Sequence, residues 1–169
     1  YSGDLQRHYP AEMPIWVLLE LSTFGTVADV YRFCADRWDD RPMLREHYFL
    51  RSAKGVRNAC AHSSAIINGF GAASHDARPA PDALTVALRD AGFSKRSRAS
   101  RMRNPRLQQI ASLLLLHRRM AEGTALADEA SAELRTLASD IRSVLSVTRP
   151  DAAAEASMEF LAELVDRWF

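Results

Sequence analysis

The sequence of 169 residues is poor in several features that define whole classes of protein. Cysteine occurs only as Cys34 and Cys60, in no CxxC pair, which excludes a disulfide framework and points to a reducing compartment or to plain core thiols. Seven glycines and seven prolines exclude collagen-like and low-complexity chains. No apolar run approaches the roughly 20 residues that span a bilayer, because Glu20 interrupts the best candidate, Ile15–Leu21. The reading is therefore a cytoplasmic protein. Lysine is nearly missing, with 2 Lys against 20 Arg, and with abundant alanine this suggests a GC-rich coding sequence. The chain opens on Tyr1 rather than Met, so we expect an N-terminal segment to have been removed, which leaves no basis for judging a signal or transit peptide. Alternating apolar and polar segments bounded by hairpin turns are also missing, which excludes an ordinary sheet protein.

What is present is a 47% hydrophobic, 25% charged chain, enough for one globular domain with a real core. Helix-period stretches dominate, so the expected fold is an all-α bundle. A first helix is expected over Met13–Ser22, apolar on nearly every side and therefore buried in the core or in a subunit interface, with Gly25 as its left-handed stop. Thr26 and Asp29 resemble a capping box opening a helix through Trp38, with Val27, Val30, Tyr31 and Cys34 inward. Asp40 and Pro42 open a third helix running towards Asn68. Residues 69–81 are expected to be a loop, followed by a short helix over Asp82–Ala91. Residues 94–106 read as a second flexible loop. Helices over Pro105–Ala121, Leu126–Val147 and Ala152–Trp168 close the chain, the last two carrying core-facing stripes through Leu134, Ile141, Phe160 and Leu164. His8 and His75 fall in expected loops, and His117, Arg118 and Arg119 at a helix end favoured by the dipole.

The third helix carries the residues of chemical interest. At about 100° per residue, Phe49, Ala53, Val56 and Cys60 share one face, the expected core face. His47, Arg51, Lys54, Asn58 and His62 fall on the opposite side, with Arg57 on the shoulder. An amphipathic surface helix shows such a stripe too, so periodicity alone leaves the choice open. The wording of the segment goes further: Arg57-Asn58-Ala59-Cys60-Ala61-His62 is an R-N-x-x-x-H hexapeptide. It resembles the R-x(4–6)-H signature of HEPN domains. Met13–Tyr31 (MPIWVLLELSTFGTVADVY) resembles the W-x(3)-E-x(3)-FG segment of abortive-infection (Abi-like) proteins, and Val56–Asn68 (VRNACAHSSAIIN) resembles their RN-x-CAH-x(5)-N segment.

The resemblance implies an α-helical HEPN bundle, dimeric, with the motif helices of two subunits facing across a shared cleft, and a metal-independent endoribonuclease activity. It makes Arg57 and His62 the catalytic pair, Asn58 the polar residue after the arginine, and Glu20 and Asn68 the Glu and Asn of the two segments. The chain departs from the pattern twice. The sizeable N-terminal region of the family is absent or trimmed, and Ser63 and Ser64 stand where many members carry a second His or an aromatic residue.

The residue types suit the chemistry without the family. RNA brings its own nucleophile, the 2′-hydroxyl, and needs a base to deprotonate it and an acid for the leaving oxygen. Histidine takes either role near neutral pH, and two copies of His62 supply both. Arg57 holds the phosphate through forked, charge-assisted hydrogen bonds, and Asn58 orients His62 or binds a phosphate oxygen. No cofactor and no metal is expected, since the sequence holds no HxxxH, HExxH or dense acidic cluster near the histidines. Glu20 is expected either to pair with Arg57 or Arg51 or to sit exposed at the rim.

The balance of 22 basic and 21 acidic residues excludes a uniformly basic nucleic-acid binder, but only on average. Residues 69–120 hold 10 basic and 3 acidic side chains, and residues 121–169 hold 4 and 10. The basic excess centres on Lys95, Arg96, Arg98, Arg101, Arg103 and Arg106, a candidate grip on an RNA backbone. The expected partners are RNA, a second copy of the chain and an antitoxin protein, in a phage-defence or toxin role. The alternatives are a HEPN module that binds RNA or a partner protein without cleaving, and a helical dimerisation domain whose polar stripe is only surface.

Overall fold

The structure, a computed structural model, describes residues 2–9, 12–71, 78–148 and 150–169. These form nine helices and no strand: α1 (Ser2–His8), α2 (Ile15–Leu21), α3 (Phe24–Arg37), α4 (Arg41–Ala61), α5 (Asp82–Asp90), α6 (Lys95–Arg101), α7 (Pro105–Ala121), α8 (Ala125–Val147) and α9 (Ala152–Trp168). The all-α expectation holds. Part of the expected 69–81 loop, residues 72–77 with His75, lies outside the described residues.

The bundle is built around α4 and α7. Helix α4 packs on α7 with one side and on α3 with another, while α9 covers α7 and carries α8 on its outer side. The main core joins Phe49 of α4, Leu84 and Leu88 of α5, Leu107, Ala111 and Leu115 of α7 and Phe160, Leu164 and Trp168 of α9. Gly55 allows the α4–α7 approach: a Cβ there would lie 3.1 Å from the Gln109 side chain. The α9 stripe is buried as expected. That of α8 is only partly covered, with Ala138 buried, Leu134 and Ile141 half-buried, and Leu126 and Leu137 exposed.

Two pairs of helix termini show why the chain turns where it does. Thr23, not Thr26, caps α3: its hydroxyl accepts the Thr26 amide at 3.2 Å, so the helix opens three residues early and takes Gly25 into its first turn. Gly25 is thus no helix stop, and α2 ends at an extended Ser22. Asp40 caps α4 as expected, accepting from the Met43 amide at 2.9 Å. At the far end α4 stops at Ala61, well before Asn68, because Ser63 enters the left-handed region at φ 50°.

Other expectations are corrected. Residues 2–8, which had no expected structure, form α1, so His8 ends a helix. The basic segment is no flexible loop: Ser94 accepts from the Ser97 amide and starts α6. On α3 the buried residues are Gly25, Ala28 and Ala35, while Val27, Val30, Tyr31 and Cys34 are half-buried. Neither cysteine is a core thiol, since Cys34 is half-buried and Cys60 exposed. Helix α2 is not buried within one chain: only Val17 is, whereas Ile15, Trp16 and Leu18 are 61%, 53% and 43% exposed. No helix among the described residues is long and apolar enough to cross a membrane.

Candidate functional site

The α3–α4 pairing creates the cleft that holds most of the motif-helix residues. It encloses about 460 Å³ and is lined by Gly25, Ala28, Asp29 and Arg32 of α3 and by His47, Arg51, Lys54, Gly55 and Asn58 of α4. The shape of its wall depends on Gly25, where a Cβ would lie 2.5 Å from Lys54 Nζ. A side chain at 25 would push the ammonium aside, so the lysine can lie over the start of α3 only above a glycine.

His47 is not the outward histidine that the helical wheel implies. It is 1% exposed, and its Nδ1 lies 3.0 Å from the carbonyl oxygen of Ala28. A carbonyl only accepts, so the ring carries its proton on Nδ1 and ties α4 to α3. The wheel assumed a single buried face, but α4 has neighbours on two sides, and His47 meets the second. Cys60 fails in the opposite sense: near the helix end, Ala59 is buried in its place.

The remaining candidates stand as follows. Arg51 and Lys54 are exposed and Asn58 is half-buried, all three in the cleft wall. Arg57 is exposed and donates from Nη1 to Asn58 Oδ1 at 3.3 Å, joining the shoulder arginine to the cleft. His62 caps the C-terminus of α4, its amide donating to the Asn58 carbonyl at 3.0 Å, with its imidazole exposed. Asn68 is exposed in the following turn and does not line the cleft. Glu20 is exposed and makes no ion pair among the described residues, so the expected link to Arg57 or Arg51 is not formed. On the α3–α4 contact Glu46 accepts from the Tyr31 hydroxyl, and burial followed by this bond pushes the Tyr31 pKa up to about 12. Among the described residues no group of three or more His, Cys, Asp or Glu is placed to hold a metal ion.

The six basic residues of 94–106 do not act as one patch. Lys95, Arg98 and Arg103 line a cavity of about 480 Å³ together with Arg78, Pro79 and Ala80. Arg96 is exposed outside it. Arg101 instead faces Glu155, Glu159 and Glu163 of α9 across a separate cavity, and Arg106 donates to Gln109 Oε1 at 3.0 Å. The acidic C-terminal helix therefore meets one edge of the basic segment.

Sequence reasoning missed Arg32 and Asp29, which enter the cleft only because α3 pairs with α4, and Asn104, which holds the site's distal support. Asn104 Oδ1 accepts the Arg106 and Leu107 amides, and Nδ2 donates to the carbonyls of Gly69 at 2.8 Å and Phe70 at 3.1 Å. The segment after the motif is thereby fastened to α7. An Asn just before Pro105 was a legible cap signal, but its second pair of bonds was not. No curated protein and no solved structure matches the chain. Residues 3–68, from α1 through the turn after α4, match the family model described as Abi-like protein.

Proposed function

We propose that the protein is a HEPN-type endoribonuclease of an abortive-infection or toxin–antitoxin system, cleaving RNA without a metal in a site shared by two copies. The observation that carries this reading is the cationic α3–α4 cleft, whose wall of Arg51, Lys54 and Asn58 leads through the Arg57–Asn58 hydrogen bond to the end of the helix at His62. In the reaction the 2′-oxygen bonds to the adjacent phosphorus as the bond from phosphorus to the 5′-oxygen breaks. One imidazole takes the 2′ proton and another protonates the departing 5′-oxygen, leaving a 2′,3′-cyclic phosphate and a 5′-hydroxyl. Arg57 meets the charge that builds on the phosphoryl oxygens.

Among the described residues of the motif helix and its cap, the imidazole without a hydrogen bond is that of His62, because His47 is committed to the Ala28 carbonyl. The second comes from His62 of a second copy, and the exposed Ile15, Trp16 and Leu18 of α2 offer an apolar surface for such an association. Purified protein should cut RNA in the presence of EDTA and leave 2′,3′-cyclic phosphate ends. Arg57→Ala and His62→Ala should each lower the rate by about 100-fold or more. Cleavage that needs a divalent metal, or that survives both substitutions, would overturn the mechanism. One observation favours a second reading, a module that binds RNA or a partner protein such as an antitoxin without cleaving. The His62 imidazole has no hydrogen-bond partner among the described residues to orient it. That reading predicts salt-sensitive binding that persists in His62→Ala with no products.

A further inference from the structure

The motif cleft does not end at Arg51. That arginine also lines a second cavity, of about 580 Å³, whose wall includes Arg45, Tyr48, Phe49 and the 78–81 segment. Arg78, Pro79 and Ala80 in turn separate this second cavity from the one lined by Lys95, Arg98 and Arg103. Arg51 and Arg78 thus each border two of three neighbouring cavities, which follow one another from the α3–α4 cleft to the face of α6. The 78–81 segment that forms the middle wall is held to α7, where Gln108 Nε2 donates to the Arg78 carbonyl at 3.0 Å.

The chemistry of the series is one-sided. Arg45, Arg51, Arg78, Lys95 and Arg103 make no ion pair among the described residues, and the carboxylates in the three walls are Asp29 and Asp82. The middle cavity adds an aromatic ring, since Tyr48 is 48% exposed beside these guanidinium groups. Unpaired cations along a groove with an exposed aromatic side chain are what an unpaired polynucleotide strand requires: phosphates for the cations and a base face for the ring. A duplex hides its base faces and would gain nothing from Tyr48. A free nucleotide would fill one cavity and leave the other two unused.

We propose that these three cavities form the path of a single RNA strand, with a base stacked on Tyr48 in the middle and phosphates on Arg45, Arg78 and Lys95 beyond the motif cleft. The path rests on the proposed ribonuclease function for its direction, but binding can be measured apart from cleavage. The probe is a fluorescein-labelled single-stranded RNA read by anisotropy on the full chain carrying His62→Ala, so that it is not consumed. Tyr48→Ala should weaken binding about 10-fold and Tyr48→Phe should restore it. Arg78→Ala should weaken binding and lower the slope of log affinity against log salt by about 0.7. The same RNA annealed to its complement should bind more weakly and ignore Tyr48→Ala.

Unchanged affinity in both Tyr48→Ala and Arg78→Ala, in variants with the parent circular-dichroism spectrum, overturns the path. So does adenosine monophosphate binding as tightly as the strand, which would make the middle cavity a free-nucleotide pocket. If the parent chain still cleaves RNA, only the path has failed. If the parent never cleaves but Tyr48-dependent strand binding is seen, the path stands and the ribonuclease reading fails.

Discussion

His47 and Tyr31 both owe their hydrogen bonds to the contact of α3 with α4. His47 gives up one ring nitrogen to the Ala28 carbonyl and becomes a structural link. Tyr31 packs on the same side and donates to Glu46, and burial together with that bond raises its pKa from 10.0 to about 12. The consequence for stability follows from proton binding in the two states. Below pH 10 the folded and unfolded tyrosine are both protonated and the full contribution is present. Between about 10 and 12 the unfolded chain releases a proton that the folded chain keeps, so stability falls across that window. Urea midpoints measured through this range should fall more steeply in the parent than in Tyr31→Phe. Glu46→Gln should bring the tyrosine titration only part of the way back, because burial is the larger cause.

Helix α4 shows how much of an element can be read in advance. Its start at Asp40 and the content of its last turn were legible, because a capping side chain and Pro42 act within one turn of themselves. Its stop was not, because it depends on a backbone reversal at Ser63 rather than on a glycine or proline. The starts of α7 and α9 follow the same local rule as the start of α4, each opening on a capping Asn104 or Asp151. Asn104 also joins elements, as the sole described side chain that both caps α7 and holds the carbonyls of Gly69 and Phe70. Asn104→Ala should cost about 2 kcal/mol in urea unfolding, from the lost cap and the carbonyls left without their donor. The exposed neighbour Arg103→Ala should stay within about 0.5 kcal/mol of the parent.

At the scale of the whole molecule, the apolar face of α2 and the His62 imidazole of each site are two sides of one proposal. If two copies join through α2, replacing Trp16 and Ile15 with glutamate should yield a monomer in sedimentation equilibrium and lower RNA cleavage at least as far as His62→Ala does. A dimer that survives these substitutions would place the interface elsewhere. The charge pattern of the whole chain also looks different once folded. The basic middle and acidic end of the sequence are not kept apart, because Arg101 turns to the glutamates of α9 while Lys95, Arg98 and Arg103 turn the other way.

Periodicity and near neighbours were enough for an all-α chain, the cap of α4, the buried stripe of α9 and the order of Arg57, Asn58 and His62 along one helix end. Tertiary structure decided which faces those helices present. A wheel drawn for one helix allows one buried side, and α4 has two, so His47 went inward while Arg32 and Asp29 arrived from α3. The cavities lined by Arg51 and Arg78 are likewise invisible in the sequence, because one forms where the 78–81 segment lies beside α4 and the other where that segment lies beside α6.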